Sequence, residues 1–189
     1  AEAGVLEKGF AATSIDELIS AAGITKSGFF YHFPDKGELA KALLQRYLDR
    51  EDALLNELFA RAADLHEDPL HSFLIGLKMF AETMEEMPDL HPGCLIASFC
   101  YQEQLFNPDV RELNRSGVLA QRKWFRDRLN AIVEVYPPRI DVDLDALADM
   151  VPVVIDGGII ISRVLKDKHL LAQQVMLYRE FVRAIFLGV

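Results

Sequence analysis

Cysteine is scarce in this chain: there are two in 189 residues, Cys94 and Cys100. Their spacing offers neither a Cys-x-x-Cys metal pair nor a disulfide framework, which predicts a reducing, cytoplasmic setting; both thiols read first as small apolar residues. Hydrophobic residues make up 51% of the chain, yet no uninterrupted apolar run approaches the length of a membrane span. The longest, Met150 to Ser162, is broken by Pro152 and Asp156, and no secretory leader is visible at Ala1. Basic residues are in the minority: 20 Lys and Arg stand against 29 Asp and Glu, a net charge of −9. That balance excludes a surface coated with positive charge for nucleic acid. The sequence also lacks strand-like alternation, internal repeats and low-complexity segments. It has no glycine-rich phosphate loop, no nucleophile elbow and no H-E-x-x-H, so no enzyme and no cofactor are expected. His66, His71, His91 and His169 are scattered with poor ligand spacing, and no metal site is expected.

What is present is helix after helix. The spacing predicts a helix ending near Lys8, which reads as clipped at its start, then a long helix from Lys36 to about Ala63. Asp68-Pro69 opens another, with Leu70, Phe73, Leu74, Leu77, Phe80, Ala81 and Met84 at helical period. Pro88 to Gly93 is a break, and Cys94 to Leu105 a short apolar helix. Asn107-Pro108 opens a helix to about Tyr136, and Asp143 to Lys166 and His169 to Leu187 close the chain. The fold class is all-α. A first domain over 1–48 and a helical body over 49–189 are the expected division.

Thr13 to Leu39 carries the sharpest signal. Ser14 and Glu17 form an S-x-x-E capping box, and Ile15, Leu18, Ile19 and Ala22 make an apolar stripe. Gly23 closes that helix, and Ile24 reads as an apolar plug behind the turn. Thr25 caps a second short helix, Lys26 to Tyr31, ended by Pro34; Asp35 caps the next. Helix, glycine turn and second helix make a helix-turn-helix. The second helix would read DNA. Thr25, Lys26, Ser27 and Gly28 are small or flexible enough to approach a backbone. The Phe30 ring can meet a thymine methyl, and Tyr31 and His32 can bond phosphate. Thr13, Ser14 and Lys36 add donors at neighbouring helix starts. Phe29 and Phe33 are expected in the core. The first 48 residues carry five bases and six acids, and the reading helix carries no acid between Ile24 and Pro34. Local sign therefore permits groove docking, with steep salt dependence.

The segment GFAATSIDELISAAGITKSGFFYHFPDKGEL resembles the DNA-binding domain of the tetracycline-repressor (TetR) family of bacterial regulators. The resemblance places Thr13, Ser14, Thr25, Lys26, Ser27, Gly28, Phe30, Tyr31, His32 and Lys36 where that family touches DNA. Phe30 departs from the tyrosine often found there, so a phenolic contact is lost or passes to Tyr31. The resemblance implies a C-terminal helical domain for ligand binding and dimerisation, and a homodimer on a palindromic double-stranded operator. Paired reading helices would sit about 34–36 Å apart, to meet successive major grooves.

Within the body, the last two helices are the expected dimer surface, through Val154, Gly157, Gly158, Ile161, Val175, Tyr178, Phe181, Val182 and Ile185. The alternative is burial wholly within one subunit. Phe80, Met84, Cys94, Phe99, Cys100, Tyr101, Trp124, Phe125 and Asp156 are candidate walls and anchors for an effector, by the family's habit of holding small molecules there; the alternative is an ordinary core. The expected function is a DNA-binding transcription regulator, a repressor released by a small apolar or aromatic effector. The competing reading is a regulator with no effector, whose body only dimerises or contacts protein.

Overall fold

The computed structural model describes residues 1–188. Among them there is no strand, and no helix is long and apolar enough to cross a membrane. The fold is all-α, as the helical periodicity predicts, and divides into two compact units.

The first unit comprises 1–51 and 92–118. It contains α1 (Glu2–Lys8), α2 (Ile15–Ala22), α3 (Lys26–His32) and the opening of α4 (Lys36–Leu65). It also holds α6 (Leu95–Cys100), a 3-10 turn (Glu103–Leu105) and the start of α7 (Pro108–Val135). Local chemistry sets these boundaries. Ser14 Oγ accepts the Glu17 amide at 3.2 Å while Glu17 Oε2 accepts the Ser14 amide at 2.9 Å, completing the capping box. Gly23, at φ 65°, ends α2 in the left-handed region, its N–H donating to the Ile19 and Ser20 carbonyls. Thr25 Oγ1 caps α3 through the Gly28 amide at 3.1 Å, and Asp35 Oδ1 caps α4 through the Glu38 amide at 2.9 Å. Asn107 does the same for α7 through Val110 at 3.0 Å. Val5, Phe10, Phe29, Leu39, Leu44 and Tyr47 form the core together with Leu95, Phe99, Phe106 and Val110 from the later segment. Phe33 packs against this core, partly buried. Ile24 does not plug the turn: it is exposed, and the α2 stripe of Ile15, Leu18 and Ile19, partly buried against the core, ends before Gly23.

The second unit comprises 52–91 and 119–189. It contains the remainders of α4 and α7, with α5 (Pro69–Glu85), α8 (Leu144–Leu165) and α9 (His169–Leu187). Both α5 and α8 pack along α9. The α5 stripe is buried as its period predicts, from Leu70 through Met84. Phe59, Phe73 and Phe125 meet edge to face or tilted, with ring centroids 5.7–6.4 Å apart, a geometry aromatic quadrupoles favour. Pro152 lies inside α8 and has no N–H for the Ala148 carbonyl. One position back, the Tyr178 hydroxyl donates to the Leu147 carbonyl at 2.9 Å, tying α9 to the disturbed turn. Burial pushes the Tyr178 phenol well above its ordinary value, so it stays a donor.

Candidate functional site

On α3 the side chains sort by face. Phe29 turns inward and is buried, while Thr25, Lys26, Ser27, Tyr31 and His32 are exposed and Gly28 is half-buried. Tyr31 is 85% exposed, with its ring edge-on to His32 at 5.1 Å. Its ring and hydroxyl are therefore open to a ligand. Phe30 is also exposed, propped against Phe29 at 5.3 Å. The Thr25 and Ser14 oxygens are engaged as cap acceptors, which leaves each hydroxyl proton able to donate outward.

Charge beside the helix is modest and paired. Lys26 Nζ lies 3.4 Å from Asp16 Oδ1, both side chains mostly exposed, so the pair contributes little and opens easily. Lys8 sits 2.8 Å from Glu17, and this bond, with those from Ser14, holds the Glu17 carboxyl at a pKa of about 2.

Two of the expected DNA donors are already employed. Thr13 is corrected by the structure: it is 2% exposed, and its hydroxyl donates to the Gly9 carbonyl at 2.9 Å, pinning the turn between α1 and α2. Lys36 is half-buried; its ammonium donates to the Phe10 carbonyl at 2.6 Å and lies over the Phe10 ring at 4.4 Å. Desolvation lowers its pKa, with Glu17 opposing.

The expected effector walls are dispersed. Phe80 and Phe125 line an interior cavity of the second unit with Leu55, Phe59, Leu77, Val151, Val154, Ile155, Val175 and Tyr178. Its volume is about 10 Å³, room for a single water at most, and its lining is apolar. Met84 is buried beyond it on α5, and Asp156 is half-buried on α8 outside the lining. Phe99 is corrected: its ring belongs to the first unit's core, stacked on Phe106. Cys100 and Tyr101 face solvent, and Cys94 caps α6 through the Ala97 amide. Trp124 is outside the cavity lining but packs edge-on against Phe59 and Phe125, donating from Nε1 to Asn56 Oδ1 at 2.8 Å. Its partner Asn56 lines a larger groove of about 460 Å³, which the sequence did not disclose.

The expected dimer residues divide as well. Gly158, Val175, Tyr178, Val182 and Ile185 are buried inside the second unit, because α8 and α9 pack through them, and so cannot meet a partner. Val154 is half-buried, while Gly157, Ile161 and Phe181 are exposed. Exposed apolar Val153, Ile160, Val164, Leu165 and Leu177 extend that surface.

His66, Asp68 and His71 come together, their candidate ligand atoms within 4.8 Å of one another. In this arrangement they serve α5: Asp68 Oδ1 accepts the His71 amide at 2.8 Å, Oδ2 accepts the Tyr136 hydroxyl at 2.7 Å, and His66 Nδ1 accepts the Asp68 amide at 3.2 Å.

A capped helix-turn-helix whose second helix exposes hydroxyls, a lysine and aromatic rings defines a DNA-reading regulator. Residues 2–43 match the family model described as bacterial regulatory proteins, tetR family, and this segment of the chain is a DNA-binding domain of that family. The chain is similar to the transcriptional regulator AcuR of Cereibacter sphaeroides, at 28% identity over 160 residues, covering 82% of this chain and 68% of that one. It is similar to the HTH-type transcriptional repressor KstR2 of Mycobacterium tuberculosis, at 28% identity over 143 residues, covering 73% and 66%. The match thus spans about two thirds of these relatives' lengths. The fold is that of regulatory protein TetR from Rhodobacter sphaeroides, with a TM-score of 0.76, 22% identity, and coverage of 95% and 94%.

Proposed function

We propose that two copies of this chain bind a palindromic operator and repress transcription from it, each copy placing α3 in a major groove. The exposed Tyr31, with Lys26 and Ser27 beside it on one bare face of α3, carries this reading. Ser14, Thr25, Gly28, Phe30 and His32 complete the contact set, with Tyr31 supplying the phenol absent at Phe30. Selection from a random duplex library, followed by binding titrations, tests it. Enrichment of a two-fold symmetric site, and loss of specific affinity in Tyr31→Ala and Lys26→Ala, is the expected result. Undiminished specific binding in both variants would overturn it.

The dimer would form through the exposed apolar face of α8 and α9, centred on Ile161, Val164, Leu177 and Phe181. Leu177→Glu should give folded monomers by sedimentation velocity; an unchanged mass would reject this face.

Release from the operator by a small effector supplies the regulation. An effector must bind one state better than the other to shift the equilibrium. The side-chain-filled interior cavity favours a second reading, a regulator with no effector. The open groove beside Trp124 favours the first, since its volume falls within the roughly 300–1,000 Å³ of small-molecule sites.

A further inference from the structure

The groove lies among the second-unit part of α4, the first turns of α5, and α7. Phe59, Ala60 and Phe73 give it an apolar floor, Asn56 and Ser72 stand at its edge, and Arg128 lines it from α7. Arg128 differs from its neighbours. The other half-buried arginines of the second unit each face a carboxylate: Arg122 meets Asp149 at 2.6 Å, Arg126 meets Asp145 at 3.0 Å, and Arg179 meets Glu180. Among the described residues no acid pairs with Arg128. Its guanidinium carbon sits 3.2 Å from the centre of the Trp124 ring, and one N–H donates to the Trp124 carbonyl at 3.1 Å. Desolvation draws its pKa down to about 10, with Asp127 opposing, so it remains a cation at neutral pH.

A guanidinium taken partly out of water without a counter-charge is costly, and the rest of its fork stays free to donate. Such a group is suited to a planar carboxylate, which accepts two parallel hydrogen bonds. We propose that this groove binds a small amphipathic carboxylate, its acid group on Arg128 and its acyl or aryl body along Phe59, Ala60 and Phe73. The regulatory consequence rests on the effector reading above; the binding itself does not.

The lone tryptophan, Trp124, lies against the cation and reports occupancy by its emission. The full chain is titrated with sodium decanoate, with decanamide as the uncharged analogue and with inorganic phosphate, by fluorescence and by calorimetry. Decanoate should saturate and bind at least about tenfold tighter than decanamide. Arg128→Gln should remove most of that difference, and Arg128→Lys should keep part of it. Ala60→Phe, at an exposed position on the groove wall, should block both compounds in a protein whose circular dichroism is unaltered. Equal affinity for acid and amide, an Arg128→Gln variant that binds decanoate as well as the parent, or saturation by phosphate alone would overturn the assignment. Operator binding is measured on the same samples without decanoate. A chain that binds operator but no decanoate sinks this site alone, and one that binds decanoate but no operator sinks the regulator reading.

Discussion

The ring of Phe99 stacks on that of Phe106, with centroids 4.3 Å apart and planes inclined by 22°, and the two enclose Phe10 at 5.6 and 4.8 Å. The turn leading into the reading motif is therefore built on residues some 90 positions further along the chain. The Gln102 side chain adds a polar tie by accepting the Ala11 amide at 3.0 Å. Phe99→Ala should cost about 3–5 kcal/mol by opening a cavity in that core. The neighbouring Cys100→Ser, at an exposed site, should stay within about 0.5 kcal/mol. Urea unfolding of both variants checks the contrast; equal midpoints would show that the ring cluster contributes no stability.

Asp68 gives a pH-dependent prediction. Burial pushes its carboxyl up, but the His71 amide, the Tyr136 hydroxyl and the His71 ring outweigh this and hold the pKa at about 2, below the ordinary 3.8. A carboxyl depressed on folding stabilises the protein above its unfolded pKa, and that stabilisation fades as pH falls toward its folded value. Asp68→Asn should thus lower the unfolding midpoint most at pH 5 and above, and the gap from the parent should close between about pH 4 and pH 2. Midpoints measured along a pH series decide it; a gap that widens with acid would mean the carboxylate is not the stabilising form.

Lys26 and Asp16 predict opposite changes in DNA binding. Removing a lysine that contacts phosphate should weaken affinity similarly for all sequences and reduce the salt slope by about 1. Asp16→Asn removes an acid 3.4 Å from that lysine, so it should tighten binding at low salt. Anisotropy titrations across a salt series test both. A Lys26→Ala slope equal to the parent's would remove Lys26 from the phosphate contacts.

Helices were legible because their caps are local. Ser14, Thr25, Asp35, Asp68 and Asn107 each accept the amide three positions on, a relation contained within one turn. The outward face of α3 was legible for the same reason, since Phe29 alone at its centre is fully apolar and inward. Faces set by distant partners were not. A helix as apolar all round as α8 does not say which side its own unit buries, and the same holds for Val175 against Leu177 on α9. Arg128 reads in sequence as one more charge on a polar helix, within the run RKWFRDR. Only the convergence of α4 and α5 on α7 desolvates it. Its one local clue is the spacing of four from Trp124, which puts ring and cation on one helix face.

Gly157 and Gly158 are adjacent in sequence and opposite in consequence. A methyl group added at Gly158 would lie 2.8 Å from Leu171 Cδ1 and 3.2 Å from Leu171 Cα, where α8 crosses α9. The flexible Cδ1 can move, but the backbone atom cannot without separating the helices, so overpacking should dominate and Gly158→Ala should cost about 1–3 kcal/mol. At Gly157 nothing lies within 4 Å, and the position is exposed in the middle of α8. There alanine gains only helix propensity, so Gly157→Ala should stabilise an isolated subunit by up to about 1 kcal/mol. The dimer proposed above makes this contrast concentration-dependent. If the α8 surface around Gly157 meets its symmetry mate, bulk at this position should weaken association, and Gly157→Leu should dissociate at higher protein concentration than the parent while its subunit stays folded. Thermal unfolding over a hundredfold range of concentration separates the two effects. A Gly157→Leu melting curve that shifts with concentration as the parent's does would place this glycine outside the contact between subunits.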